Sequence, residues 1–444
     1  MAIGGTTIYK GTGEFLFVAF PKILGGLLTF ALNLVLLRHF GPSEFGIYAL
    51  CVALILLADA IVGSSMDMSV LRLAPLYRET NYKLSLGIQR TALWLKLGLA
   101  SFSSALLSLF AGPLSRMLFH QTGLQPLLYT TCGAVSALLL LRSAQVHPQV
   151  ARRFFWFGLL EMLQVITKFG GIALLLLAGH VSAMNVLLFF VLGPLVSFIA
   201  WRATIGREFS RAVPFSRAIT GEIWRYSRWF LLTFGLAAFI SRLDLLLLAR
   251  WHSLTEVGIF SAGQAIAWVP QLIGTYLAVL FTPRIMPLVG TGRFYDFFSK
   301  FQLTMLAVCL LIFVACLIAV PSLGHWLLPA KYGQSLRVIL ILLPGALSGL
   351  ATFPVTIGFV MFIRPKFLFA MDCVSLPILL LLYHYAIGLY GATGAAFVTT
   401  AANLSRGTIA QIMAWKWARG LDPTGVPSGV PLSDPLAFAA EVGR

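Results

Sequence analysis

The chain has 444 residues, of which 59% are apolar and only 11% charged, and its mean hydropathy is +0.90. That leaves too little polar material to coat a water-exposed globule, which excludes the soluble enzyme and nucleic-acid-binding classes in favour of a polytopic membrane protein. The formal net charge of +17 then reports basic loops facing anionic headgroups, and nucleic acid is not an expected partner.

The opening MAIGGTTIYKGTGEF has neither the basic n-region nor the small-residue cleavage site of a signal peptide, so the first apolar run is expected to stay. That run, FVAFPKILGGLLTFALNLVLL, has about the ~20 residues needed to cross ~30 Å of hydrocarbon. Spans are predicted at 15–37, 46–70, 91–115, 124–146, 154–178, 183–205, 224–248, 257–282, 301–327, 338–362, 367–390 and 392–415. The fold class is therefore an all-α polytopic membrane protein of about twelve helices. Two six-helix bundles are expected at 1–205 and 224–417, joined by a cytoplasmic linker at 206–223 and followed by a Pro-, Gly- and Ser-rich mobile tail at 418–444.

With the N-terminus inside, the cytoplasmic connections hold Arg72, Arg78, Lys83 and Arg90, then Arg142, Arg152 and Arg153, then the basic run from Arg202 to Arg225. Arg284, Arg293, Lys300, Arg364, Lys366, Lys416 and Arg419 follow on the same side. The opposite face has only Arg38, Arg116, Arg250, Lys331 and Arg337, so the positive-inside rule places both termini in the cytoplasm. Cys51, Cys132, Cys309, Cys316 and Cys373 all fall in spans without metal-ligand spacing, and the seven histidines are scattered. No Walker A, Gly-x-Ser-x-Gly, HExxH or GxGxxG pattern occurs, and the loops are too short for a soluble catalytic domain. Neither enzymatic activity nor a cofactor or metal is expected.

The stretch RHFGPSEFGIYAL at 38–50 returns as RWHSLTEVGIFSA at 250–262. A gapless offset of 212 residues matches Arg38 to Arg250, Glu44 to Glu256, Gly46 to Gly258 and Ile47 to Ile259, and still matches Arg72 to Arg284 and Pro75 to Pro287. Six spans separate the copies, an even number, so the two halves are parallel repeats with the same membrane orientation. Transporters built this way carry substrate at the repeat interface, although duplication kept for packing alone gives the same pattern.

FGPSEFGIYAL, LTEVGIFSAGQAI, KYGQSLRVILILLPG at 331–345 and LYGATGAAFVTTAANLS at 389–405 resemble the polysaccharide-transporter branch, which includes Wzx-type O-antigen flippases. That branch belongs to the multidrug, oligosaccharidyl-lipid and polysaccharide exporter superfamily, and the resemblance covers roughly residues 10 to 418. It implies the MATE-like, flippase fold and alternating access in a bacterial inner membrane. The implied substrate is an undecaprenyl-pyrophosphate-linked oligosaccharide, with membrane lipids, a polysaccharide polymerase and glycosyltransferases as implied partners. A drug/cation antiporter of the same fold and a non-transport scaffold for polysaccharide synthesis are the alternatives.

A diphosphate-bearing lipid needs a wet, cationic passage, and a charge at membrane depth costs about 2.5–3.5 kcal/mol unless it meets water or a partner. Lys22, Gly26, Thr29 and Asn33 share one face of the first span, at i, i+4, i+7 and i+11. Arg228, Gly235 and Arg242 share a face of the seventh span, with Asp244 turned away as an internal partner or proton site. Gln264, Trp268, Gln271 and Thr275 form an amide and indole stripe in the eighth, suited equally to sugar hydroxyls and to helix–helix hydrogen bonds. Lys96 and Arg406 are further substrate-binding candidates, while Glu161, Asp59 and Asp244 are candidates for ion coupling. Deep bases and acids nearly balance, so mutual pairing is the competing reading of the same residues.

Overall fold

The computed structural model describes residues 5–110, 112–113, 125–211, 217–271, 273–274, 294–352 and 365–420, and every regular element among them is helical. Thr275, the ends of the third, eighth and tenth predicted spans, and residues 421–444 of the predicted tail lie outside the described residues. By packing, the chain divides into two units, Met1–Ser261 and Ala262–Arg444.

In the first unit, α1 (Gly5–His39) is followed by α2 (Pro42–Ala58), a π-helical turn (Asp59–Ser64) and α3 (Ser65–Leu73) as one continuous span. Then come α4 (Tyr82–Leu109), α5 (Gln125–Val150), α6 (Phe154–Leu177) and α7 (Ala183–Ala203), a 3-10 segment (Ile205–Arg211), α8 (Arg217–Ile240) and α9 (Leu243–Trp251). α10 (Leu254–Ala267) begins here and runs across the division. One apolar core joins α3, α4, α5 and α8 through Val70, Ile88, Val146 and Ile223. Another wraps Trp201 with Leu86, Leu141, Leu160, Ile205 and Phe209, so the 3-10 segment within the predicted linker is packed into the unit.

The span predicted at 224–248 is broken. α8 and α9 meet at a 52° bend, where Arg242 leaves helical geometry (φ −122°, ψ 3°). The Ser241 hydroxyl donates to the Ala238 carbonyl at 2.7 Å, a local bond of the kind that competes with the helical ladder and bends it.

The doubled motif is a packing device. A Cβ added at Gly46 would strike the Leu254 carbonyl oxygen, and one added at Gly258 would strike the Pro42 carbonyl oxygen. Pro42 and Leu254 are themselves matched by the 212-residue offset, so α2 and α10 cross reciprocally, each glycine receiving the other copy's backbone.

In the second unit, α11 (Phe294–Leu327) and α12 (Ser335–Ala351) pack through Cys309, Leu343, Leu347 and Leu350. α13 (Pro365–Gly420) comprises two helical arms that meet without an intervening loop; its 56 residues would reach about 84 Å if straight, far beyond a bilayer core of ~30 Å. Instead it folds back at Gly391, whose φ of 55° and ψ of −129° suit a residue without Cβ. The Tyr383 hydroxyl and Thr399 Oγ1, sixteen residues apart, lie 2.9 Å from each other, which fixes the two arms as an antiparallel pair. Among the described residues, seven helices are long and apolar enough to cross a membrane, or eight with the bent pair, and one of the seven, Phe369–Met413, is this hairpin. Leu177 (86% exposed), Trp326 (78%) and Leu389 (74%) on these helices are what lipid rather than water permits.

Candidate substrate site

Lys22 lies on α1 one residue after Pro21 and faces an open cavity of about 430 Å³ at the end of the first unit. Among the described residues, Arg78, Glu79, Gln149 and Arg152 supply the remaining polar wall, so three cations face it against one carboxylate. Its aromatic side includes Phe157, whose ring centroid is 5.5 Å from the Lys22 ammonium. Arg152 sits in the turn between α5 and α6 with φ at +53°, a left-handed backbone that favours glycine. Holding an arginine there costs about 1–3 kcal/mol, and sites that keep such strain are commonly functional.

Several other deep charges are matched. Lys96, 1% exposed on α4, donates to Asp67 on α3. Asp59, in the π turn, meets Arg142 on α5 at 3.4 Å, and Arg142 also donates to Gln145 Oε1 at 3.4 Å. Gln145 in turn donates to Glu161 on α6, so a chain of polar groups runs from the π turn after α2 to α6. Asp59 Oδ1 is buried without a hydrogen-bond partner among the described residues. Arg406 donates to the buried Asp372 across the arms of α13.

The remaining candidates are dispersed. Thr29 bonds back to the Gly25 carbonyl at 2.7 Å, and Asn33 is half-buried on the same helix. Arg228 is exposed, with its guanidinium 5.8 Å from the Trp229 ring. Because the helix breaks at Ser241, Arg242 does not continue the Arg228 face; it lines a separate cavity of about 440 Å³ with Leu56, Ala60 and Phe234. Asp244 is buried in the first turn of α9 and interacts electrostatically with Arg242. Gln264 is buried on α10, Trp268 is half-buried, and the Gln271 side chain packs beside Gly349 of α12. The structure thus brings Lys22 together with Arg78 and Arg152, which the sequence counts only toward topology.

Beside the basic cavity, a polar clamp holds the 3-10 segment. Tyr82 and Arg153 both donate to Glu208, Arg153 at 2.6 Å, and the buried His147 ring lies 3.9 Å from the same carboxylate. Burial pushes the Glu208 carboxyl up, but the two hydrogen bonds and the Arg153 charge outweigh it and leave it below the ordinary 4.5. Burial, together with the bond to Glu208, raises the Tyr82 hydroxyl to about 12.

A family model described as polysaccharide biosynthesis protein matches residues 14–287, well over half of the chain. The chain belongs to the polysaccharide biosynthesis protein family. No curated protein matches the sequence. Among solved structures, this family member is similar to the lipid II flippase MurJ in an inward closed conformation, with a TM-score of 0.71 and 11% identity over 90% of this chain and 87% of that one. It is also similar to the Vibrio cholerae MATE transporter VcmN in the bent form (TM-score 0.58, 11% identity, 94% and 98% covered). A MATE transporter in complex with MaL6 matches likewise (TM-score 0.63, 12% identity, 91% and 95% covered). At such identities the likeness establishes the fold: this polysaccharide biosynthesis protein is an all-helical, multi-pass membrane protein with the architecture of flippases and MATE transporters.

Proposed function

We propose that the protein is a transporter rather than an enzyme, and that it flips an undecaprenyl-pyrophosphate-linked oligosaccharide across the cytoplasmic membrane by alternating access. The observation that carries this reading is the cavity walled by Lys22, Arg78 and Arg152, in a chain of the polysaccharide biosynthesis family. A diphosphate cannot enter hydrocarbon, and a partly enclosed site with three cations offers charge-assisted hydrogen bonds to its oxygens. Both termini are assigned to the cytoplasm, which puts these basic residues on the side where the lipid-linked substrate is assembled. A polymerase and glycosyltransferases are the partners consistent with that place. Ion coupling is assigned to the Asp59–Arg142–Gln145–Glu161 chain: a proton or cation taken by Asp59, whose Oδ1 has no hydrogen-bond partner among the described residues, weakens its hold on Arg142. Asp244, held by Arg242, is given a structural role instead.

The test is translocation of a fluorescent lipid-linked oligosaccharide in proteoliposomes. Lys22→Gln combined with Arg78→Gln is expected to slow it by at least about tenfold, since each hydrogen bond to a charged group is worth about 1.5–3 kcal/mol. Unchanged translocation in the double variant removes the cavity from the mechanism. Indifference to imposed pH and Na⁺ gradients removes the coupling.

A further inference from the structure

The second unit has its own cavity, a trough of about 660 Å³ between α11, α12 and the second arm of α13. It is amphiphilic along its length. One end is walled by Leu310, Phe313 and Leu404, the other by Thr352, Gln411 and Lys416. From Leu404 to Lys416 is twelve residues of helix, about 18 Å, close to the half-thickness of a ~30 Å hydrocarbon core.

Polar chemistry at the second end is unfinished. Gln302 on α11, wholly buried, and Gln411 on α13 both donate their amide nitrogens to the Ala351 carbonyl, at 2.8 Å and 3.0 Å. Each is left with a buried Oε1 that accepts no hydrogen bond among the described residues. Two buried acceptors without donors are costly, about 1–3 kcal/mol apiece, and Gln411 lines the trough. The site therefore calls for an occupant with an apolar chain of one leaflet's length, a hydroxyl donor and a negative charge for Lys416.

From this we infer that the trough binds a single anionic phospholipid of the cytoplasmic leaflet, of the phosphatidylglycerol type. Its acyl chain lies against Phe313 and Leu404, its phosphate faces Lys416, and its glycerol hydroxyls are the donors within reach of the amide end. Basic pockets between membrane helices on the cytoplasmic side select anionic headgroups in this way. The leaflet assignment rests on the orientation proposed above; the affinity for the lipid does not depend on what the first unit transports.

Native mass spectrometry of the full chain, incubated with equimolar phosphatidylglycerol and phosphatidylcholine of equal chain length, tests this. Phosphatidylglycerol adducts are expected to exceed phosphatidylcholine adducts by about fivefold, the value of one lysine at an anionic surface. Lys416→Gln is expected to bring the two to parity, and because Lys416 is exposed this variant keeps the fold. Thr408→Trp, which fills the trough, is expected to remove both adducts. Equal retention by the unaltered chain, or a preference that survives Lys416→Gln, overturns the inference. So does displacement by undecaprenyl phosphate at equal concentration, which gives the trough to the lipid carrier. Labelling of Lys416→Cys from the outside alone overturns the leaflet assignment together with the orientation, whereas loss of flipping activity with the adducts intact counts only against the proposed transport.

Discussion

Lys22 and Lys96 are the same residue type in similar sequence settings, each within an apolar helix, yet the molecule treats them oppositely. Lys96 is sealed between α3 and α4 against Asp67, whereas Lys22 stands on a cavity wall with Arg78 and Arg152. A buried base with its own acid is a packing element, retained because removing either partner strands the other. Bases that gather around open space, outnumbering acids three to one, create a field that a soluble or lipid-borne anion can use. Depth in a span therefore says little about use; the neighbour contributed by another helix decides it.

The contrast is sharpest at Asp67. Asp67→Leu leaves the Lys96 ammonium buried and unmatched, and is expected to cost about 3–5 kcal/mol, read as lost expression and a lower unfolding temperature in detergent. Asp67→Leu with Lys96→Met is expected to recover most of that loss and to keep transport; a double variant that folds but does not transport would move this pair into the mechanism. The Arg406–Asp372 pair divides unequally, because the arginine side chain is 44% exposed and the aspartate 3%. Arg406→Gln is accordingly expected to destabilise by about 3 kcal/mol, and Asp372→Asn by only about 1, since the freed guanidinium reaches the surface. Equal losses in chemical denaturation would contradict that asymmetry.

At the cavity the sign reverses. Arg152→Gly relieves a left-handed backbone and is expected to raise stability by about 1 kcal/mol while slowing translocation. A variant both more stable and fully active would show that the strain serves nothing. The smallest effect belongs to Glu208. Its folded carboxyl titrates below the ordinary 4.5, so the stability it adds is fully present above pH 4.5 and fades as pH falls through the folded value. Glu208→Gln is expected to flatten that acid-side loss in a pH series of unfolding temperatures, by modestly lowering stability at neutral pH, where the carboxylate's contribution is fully present.

Much of the architecture is legible in the apolar runs, since a span must be long and uncharged whatever surrounds it. The 212-residue echo is likewise plain in the sequence, and its glycines sit where α2 and α10 touch. What stays hidden depends on contacts distant in sequence. Helical periodicity places Arg228 and Arg242 on one face but cannot foresee a break between them. Arg142 reads as a loop cation, although α5 carries it to Asp59, 83 residues away. Arg78 and Arg152 read only as topology signals, and nothing in their local sequence announces the cavity they share with Lys22 or the backbone strain at Arg152.

A segment that docks on its own duplicate inherits the logic of a homodimer seam folded into one polypeptide. Side chains along such a seam can drift apart once the copies are separately encoded, as Phe45 and Val257, or Tyr48 and Phe260, have done. Gly46 and Gly258 have no such latitude, because what fills their space is main chain, which no mutation can trim.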